Sequence, residues 1–339
     1  MIVYFDTVRR KRPVREGGEL VKLDWQSKKV LATVPLFPTE PDIEDDPNPR
    51  GNSRGGKGIL IKGDEVFVGT YHTILVFDRD LNFKRRIANH LFANIHEMCF
   101  SGENTWVSAT TIDCALLVDG RGNTLKTWWP REEPLLQERY RLSPMEIDKK
   151  ADNRVCHLNR ELGLEESHTH LNGVAHHAGH TYVLLNRQGA LVQIEPEVKV
   201  VVEDARLRAG HSPTLTADGQ QVVVCSSFQK EVLVYDLKKG NLVKQVHLLD
   251  FPAVAGLYRD YPDQPFNKSI FVRGLEIIAG GRILVGISPA SILEIDTGKR
   301  RLLDIYRHSR DVGDAVHGLA HIPEEKPVSR LRRFFSKSR

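Results

Sequence analysis

The feature that most constrains this chain is a short apolar strand, closed by an acid, that recurs along its length. It reads Glu19-Leu-Val-Lys-Leu-Asp24, Ile74-Leu-Val-Phe-Asp78, Leu116-Leu-Val-Asp119, Leu191-Val-Gln-Ile-Glu195, Val232-Leu-Val-Tyr-Asp236 and Ile292-Leu-Glu-Ile-Asp296. Two neighbouring pairs, Asp78 to Asp119 and Glu195 to Asp236, are each 41 residues apart. The clearest copy begins at His170 and ends at Glu195. Its runs Val174-Ala175, Tyr182-Val-Leu-Leu185 and Leu191-Val-Gln-Ile194 are separated by turns at Ala178-Gly179 and Arg187-Gln-Gly189. A period of about 40 residues with several short strands per unit is the signature of a β-propeller blade.

The leading strands repeat as well. Aligned on the strand that follows, they are Gly56-Lys-Gly-Ile59, His96-Glu-Met-Cys99, Asn172-Gly-Val-Ala175, Ser212-Pro-Thr-Leu215 and Arg273-Gly-Leu-Glu276. A sixth, His317-Gly-Leu-Ala320, has no blade after it, and the strands at Ile2–Phe5 and Glu19–Asp24 have no leading strand before them. Joining the two ends completes one blade and removes an exposed sheet edge. The expected fold is therefore all-β: one six-bladed propeller over residues 1–325, closed by N- and C-terminal strands, with a basic, solvated tail at 326–339. Blades cannot bury their faces alone, so 339 residues read as one ring rather than two domains.

Composition narrows the function. Forty-eight Lys and Arg against 44 Asp and Glu leave a net charge of +4, too small to imply nucleic acid. No aromatic and basic residues alternate as a single-strand binder requires. No apolar run reaches the roughly 20 residues of a membrane span. Apolar Met1-Ile-Val-Tyr4 precedes basic Arg9-Arg-Lys-Arg12, the reverse of a secretory signal, so a cytoplasmic location is expected. Cys99, Cys114, Cys156 and Cys225 form no CxxC pair and imply no disulfide framework.

Three stretches break the repeat, at 37–56, 130–168 and 249–270. The second carries helix-like spacing over Glu133–Tyr140 and Val155–Leu162. Each joins the outer strand of one blade to the innermost strand of the next, so all three are expected on one face, as a lid over the channel mouth. Long ordered loops on a rigid scaffold usually carry function. Their aromatics, Trp128, Trp129, Tyr140, Phe251, Tyr258 and Tyr261, suit either a pocket wall or a packed lid core.

The innermost strands begin at that mouth. One aligned column holds Lys57 or Gly56, His96, Asn172, Ser212, Arg273 and His317, with His170 two residues and His211 one residue before it, and Glu97 and Glu276 one and three after. A buried strand has no reason to begin with such groups unless they are paired or hydrated. Four histidines from four blades, His96, His170, His211 and His317, are candidate ligands for Zn, Fe, Ni or Cu. Glu97, Asn172 and Glu276 offer oxygen donors that would suit Ca²⁺. Glu97 or Glu276 is a candidate catalytic base. Arg273, Asn172 and Lys57 are candidate substrate contacts, Arg273 because its planar fork fits a carboxylate or phosphate.

At Thr169-His-Leu-Asn-Gly-Val-Ala175, Val272-Arg-Gly-Leu-Glu276 and Val316-His-Gly-Leu-Ala320 the chain resembles six-bladed propellers of the broad gluconolactonase and strictosidine-synthase-like group, and uncharacterised bacterial relatives with a similar His-Leu-Asn-Gly motif. That resemblance implies a divalent cation on the axis, held in the lactonases by Glu, Asn and Asp. Asn172 matches in type, while His and Arg stand where acids are expected. The axial histidines look more like the four-histidine iron centre of carotenoid-cleaving oxygenases, which sit on a seven-bladed ring.

Two functions are compatible with these residues. One is a metal-assisted hydrolase, lyase or oxygenase acting on a small polar, anionic molecule in the channel. The other is a non-catalytic propeller, either a protein-interaction platform or a ligand sensor, because the fold hosts both.

Overall fold

A computed structural model of the chain describes residues 1–10, 12–37, 54–156, 167–264 and 268–323. The first strands are β1 (Ile2–Arg9), β2 (Glu19–Asp24) and β3 (Lys29–Pro35). Four complete four-strand units then include β4 (Gly58–Lys62) to β7 (Phe83–Ala88), β8 (Ile95–Ser101) to β11 (Thr124–Trp128), and β12 (Leu171–His177) to β15 (Lys199–Glu203). The fourth of these runs from β16 (Gly210–Leu215) to β19 (Asn241–His247). A fifth, β20 (Leu275–Ile278) to β23 (Arg301–Arg307), precedes the last strand, β24 (Asp314–Ile322). Six four-stranded antiparallel sheets result, and in the closing one the order is β24-β1-β2-β3. Pairs from Ile2 with Ile322 to Arg9 with Asp314 stitch the two ends together. The chain is a six-bladed propeller closed as the repeat requires.

The recurring acid has a local job. Asp78 Oδ1 accepts hydrogen bonds from the main-chain N–H groups of Asp80 and Asn82, and Asp119 does the same for Arg121 and Asn123. Asp24, Asp236 and Asp296 accept from Gln26, Lys239 and Lys299. Each acid folds its own side chain back onto the turn into the outer strand, which is why Asp is favoured there. Glu195 departs from this and instead accepts from Thr181 and Lys126.

The apolar residues between these acids build six separate cores, one between each pair of adjacent blades. Val3, Phe5, Val21 and Leu23 pack on Leu284, Ile292 and Val316 across the closing seam. Val223, Val232 and Val234 pack on Ile283, Val285 and Leu293 across another. Central strands are thus buried on both faces, and each fully buried Val, Leu or Ile contributes about 1.5–3 kcal/mol. Adjacent blades are held by this side-chain packing, and the hole at the centre is left for polar groups.

The excursions carry three short helices, α1 (Pro134–Tyr140), α2 (Asn153–Cys156) and α3 (Pro252–Asp260). Proline opens α1 and α3 at a position where its missing N–H costs nothing. Val254 and Leu257, three apart, turn one face of α3 onto the core at Ile270 and Val272. The aromatics of the excursions are core and not pocket wall: Trp128 and Tyr140 pack against one inter-blade cluster, Trp129 against a second, and Phe251, Tyr258 and Tyr261 against a third. The loop expected at 37–56 and the helix expected at 155–162 fall largely outside the described residues, and the tail at 326–339 does so entirely. No helix among the described residues is long and apolar enough to cross a membrane.

Candidate metal and ligand site on the channel axis

Four innermost strands share one irregularity at the same level. Ile95 pairs with Ala109 but Met98 pairs with Val107, so His96 and Glu97 occupy three steps of β8 against two of β9. One extra residue likewise stands at Asn172 in β12 and at Ser212-Pro213 in β16. A fourth stands at His317-Gly318 in β24, opposite Asp6 of β1. A β-bulge breaks the in–out alternation and re-aims side chains, and here it turns polar residues toward the axis. Lys57 and Arg273 reach the same level from the remaining two blades, through main-chain bonds to Gly69 and Gly286.

Three of the four expected histidines converge. One ring nitrogen from each of His96, His211 and His317 lies within 4.8 Å of the others. Their residues are 7 %, 4 % and 0 % exposed. Neither ring nitrogen of His96 or of His317 has a hydrogen-bond partner among the described residues. His211 differs. Its Nδ1 lies 3.0 Å from the Ala209 carbonyl and 2.8 Å from Ser227 Oγ, while Ser227 donates to the Val272 carbonyl at 2.5 Å. Nδ1 therefore carries the proton, and Nε2 presents its lone pair. A ligating histidine is usually oriented in this way by a partner on its other nitrogen. Burial first, then the neighbouring imidazoles, holds His96 well below the ordinary histidine range; burial, then Arg273 and Lys57, does so for His317, and burial and Arg273 lower His211. All three are neutral, the form that binds a metal.

His170 stands beside this group. Its ring centroid is 6.4 Å from that of His96, and its main-chain N–H donates to His168 Nδ1. Burial and the charges of His168, Arg187 and Arg273 push it down to about 3. The nitrogen cluster is therefore three imidazoles with His170 as a neighbour.

Glu97 lies one residue beyond His96, with Oε1 2.5 Å from Ser212 Oγ, which is also 2.5 Å from the Arg273 carbonyl. One hydroxyl proton cannot serve two acceptors, and a proton on Glu97 resolves the conflict. Burial, reinforced by Asp6 and opposed by Ser212, raises Glu97 well above the usual carboxylate range. Both observations favour the neutral form of Glu97 in the metal-free site. Asp6, fully buried, accepts from the Gly318 and Gly58 N–H groups at 2.7 and 3.1 Å. Burial lifts it to about 7 against the pull of those donors and Lys57. A Cβ on Gly318 or on Gly56 would sit 2.3 Å from the Asp6 carboxyl group, so glycine is required at both.

Glu276 is elsewhere. It accepts from His321 Nδ1 at 2.6 Å and lines a cavity of about 280 Å³. This cavity runs from His317, Glu97 and Ser212 past Val174 and Leu275 to His177 and Ala217, and so opens on the face opposite the excursions. Asn172 donates through Nδ2 to the Gly210 carbonyl, leaving Oδ1 with no partner among the described residues. Lys57 is buried, and its charge is felt by all four histidines. Asp6, Ser227 and Phe271 were not singled out from sequence. An acid inside the apolar run Ile2-Val-Tyr-Phe-Asp-Thr-Val8 was the available signal for the first.

The class these features define is a six-bladed β-propeller with a buried histidine cluster on its axis. No protein-family model matches the chain, and no curated protein matches it by sequence. Solved structures match its fold. A protein of unknown function from Bacteroides caccae superposes with a TM-score of 0.58 at 12 % identity, over 94 % of this chain and 97 % of that one. A chain of the nidogen/laminin complex gives 0.55 at 8 % identity over the same shares. At such identities the likeness is one of fold.

Proposed function

We propose that the chain is a metal-assisted enzyme acting on a small polar molecule at the channel axis. The observation that supports this best is the cluster His96, His211 and His317: neutral, buried, converging within 4.8 Å, and with two members lacking any protein partner among the described residues. Orphaned buried nitrogens cost stability, and a shared cation would satisfy them. Three imidazoles suit Fe²⁺ or Zn²⁺ better than Ca²⁺, which takes oxygen donors. Three protein ligands also leave a position open, as in catalytic rather than structural sites. When bound, such an ion supplies Lewis acidity for hydrolase, lyase or oxygenase chemistry. The lactonase-like reading requires oxygen ligands, and of the oxygens at this level Glu97 is engaged by Ser212 and Asp6 by Gly318 and Gly58, while Asn172 Oδ1 has no partner among the described residues; the converging ring nitrogens favour the transition-metal alternatives.

The chain's own residues then divide the work. Glu97, one residue beyond His96 with its carboxyl group fixed by Ser212, is placed to exchange a proton with a molecule bound beside the cluster. His211 is locked in one tautomer by Ala209 and Ser227.

Metal analysis of the purified protein tests the reading. About one equivalent of iron or zinc is expected, and its loss in the His96→Ala, His317→Ala double variant. A protein that carries no metal, and whose melting temperature is unmoved by Zn²⁺, Fe²⁺ or Ca²⁺, refutes it.

A further inference from the structure

Three of the described arginines are more than nine-tenths buried, and two of them are tied down by protein oxygens. Arg131 donates from Nε to the Ser143 carbonyl at 2.7 Å and from Nη2 to that of Pro144 at 3.2 Å. Arg54 donates from Nε to the Arg12 carbonyl at 2.8 Å. Arg273, 8 % exposed, is different: its Nε has no hydrogen-bond partner among the described residues.

Its surroundings make the difference sharper. The Phe271 ring covers the guanidinium at 4.6 Å from Cζ. The same ring meets His211 edge-on at 5.7 Å, so it links the arginine to the imidazole cluster. Arg10 approaches the Phe271 ring at 5.9 Å and adds a like charge. Burial, followed by that like charge, pulls Arg273 well below the ordinary arginine range, with no carboxylate of the described residues offsetting it. Glu97, on the axis, is engaged by Ser212 at 2.5 Å. A buried guanidinium without an anion is strongly unfavourable, and a cation–π contact offsets only a small part of that cost.

We propose that Arg273 is the dock for a carboxylate of the substrate, so that the site acts on a small organic acid. Phe271 occupies the face of the guanidinium, which leaves its edge, with paired N–H donors, for a flat two-oxygen group. This deepens the enzyme reading by naming its substrate class, but docking does not need the ion.

The test uses the full chain, once after EDTA dialysis and once reloaded with Zn²⁺. Acetate, oxalate, inorganic phosphate and neutral acetamide are titrated by calorimetry and by thermal shift. Acetate and oxalate are expected to bind and to raise the melting temperature of the EDTA-treated protein, with at least tenfold loss of affinity in Arg273→Met and in Arg273→Gln. Acetamide is expected to do neither. Arg273→Met without ligand is expected to melt above wild type, because it removes an unpaired buried charge; Arg273→Gln provides the affinity comparison should the Met variant fail to fold. Carboxylate affinity equal in wild type and variants overturns the proposal. So does binding of phosphate without binding of carboxylates, or a lower melting temperature for Arg273→Met. Oxalate that binds only after Zn²⁺ is added, unaffected by Arg273→Gln, overturns the dock while leaving the metal reading intact. Arg273-dependent binding in protein that takes up no Zn²⁺ does the reverse.

Discussion

Replacing His96 by leucine should move the melting temperature in opposite directions with and without metal. Both ring nitrogens of His96 are buried and lack a partner among the described residues. A buried polar group left unsatisfied costs about 1–3 kcal/mol, and leucine fills nearly the same volume without that demand, so a gain of about 2 kcal/mol is expected in the metal-free protein. An unfolding entropy of about 2.1 cal/mol/K per residue, over 339 residues, gives about 0.7 kcal/mol/K, so 2 kcal/mol raises the melting temperature by about 3 °C. A metal at one hundred times its dissociation constant stabilises wild type by about 2.7 kcal/mol, or about 4 °C on the same scale. His96→Leu should lose most of that increment. Differential scanning calorimetry after EDTA dialysis, repeated with Zn²⁺, reads both numbers. A metal-free His96→Leu protein that melts below wild type would mean that the imidazole is already satisfied, and the case for a cation would fall with it.

Gly318→Ala puts a Cβ 2.3 Å from Asp6 Oδ2 and 2.9 Å from Gly58 Cα, and should cost about 1–3 kcal/mol by calorimetry while also reducing metal uptake. Glu65 is held down to about 2, first by Arg85 and then by Lys84. Its depressed value stabilises the fold above about pH 4.5 and loses that effect as pH falls toward 2. Because the pair is partly exposed, Glu65→Gln should cost about 1 kcal/mol at pH 7 and nothing near pH 2; a pH-independent difference in urea titrations would show that the ion pair is inert. Deleting residues 314–339 removes β24, leaves the edge of β1 unpaired, and should yield aggregated protein on size exclusion. A monodisperse, fully folded product would show that the ring does not need its closing strand.

Much of this molecule was legible in its sequence. The acid that ends each third strand, Asp24, Asp78, Asp119, Asp236 and Asp296, marks a turn whose chemistry is local, so it survives as a pattern. The same locality made β7 and β11 readable as outer strands, and the missing first and last strands announced the closure. His96, His211, His317, Arg273 and Lys57 stood out as polar groups where a buried strand should begin. The structure gathers these at one level and leaves Glu276 and His170 out of the imidazole cluster.

Those two exceptions show what sequence could not decide. Period-two alternation says which side of a strand a residue faces, but one inserted residue at His96-Glu97, Asn172, Ser212-Pro213 and His317-Gly318 resets that count, and nothing local marks the insertion. Whether Glu97 is ionised, or Asp6 lies behind it, depends on groups that are distant in the chain: Ser212 is 115 residues from Glu97, and Gly318 is 312 from Asp6. The repeat alone determined a closed ring of six sheets, because turn chemistry and hydrophobic alternation act over a few residues. Which imidazoles meet, which acid is raised by burial and which guanidinium has no carboxylate beside it among the described residues were decided only in three dimensions, because desolvation and charge act through space between blades.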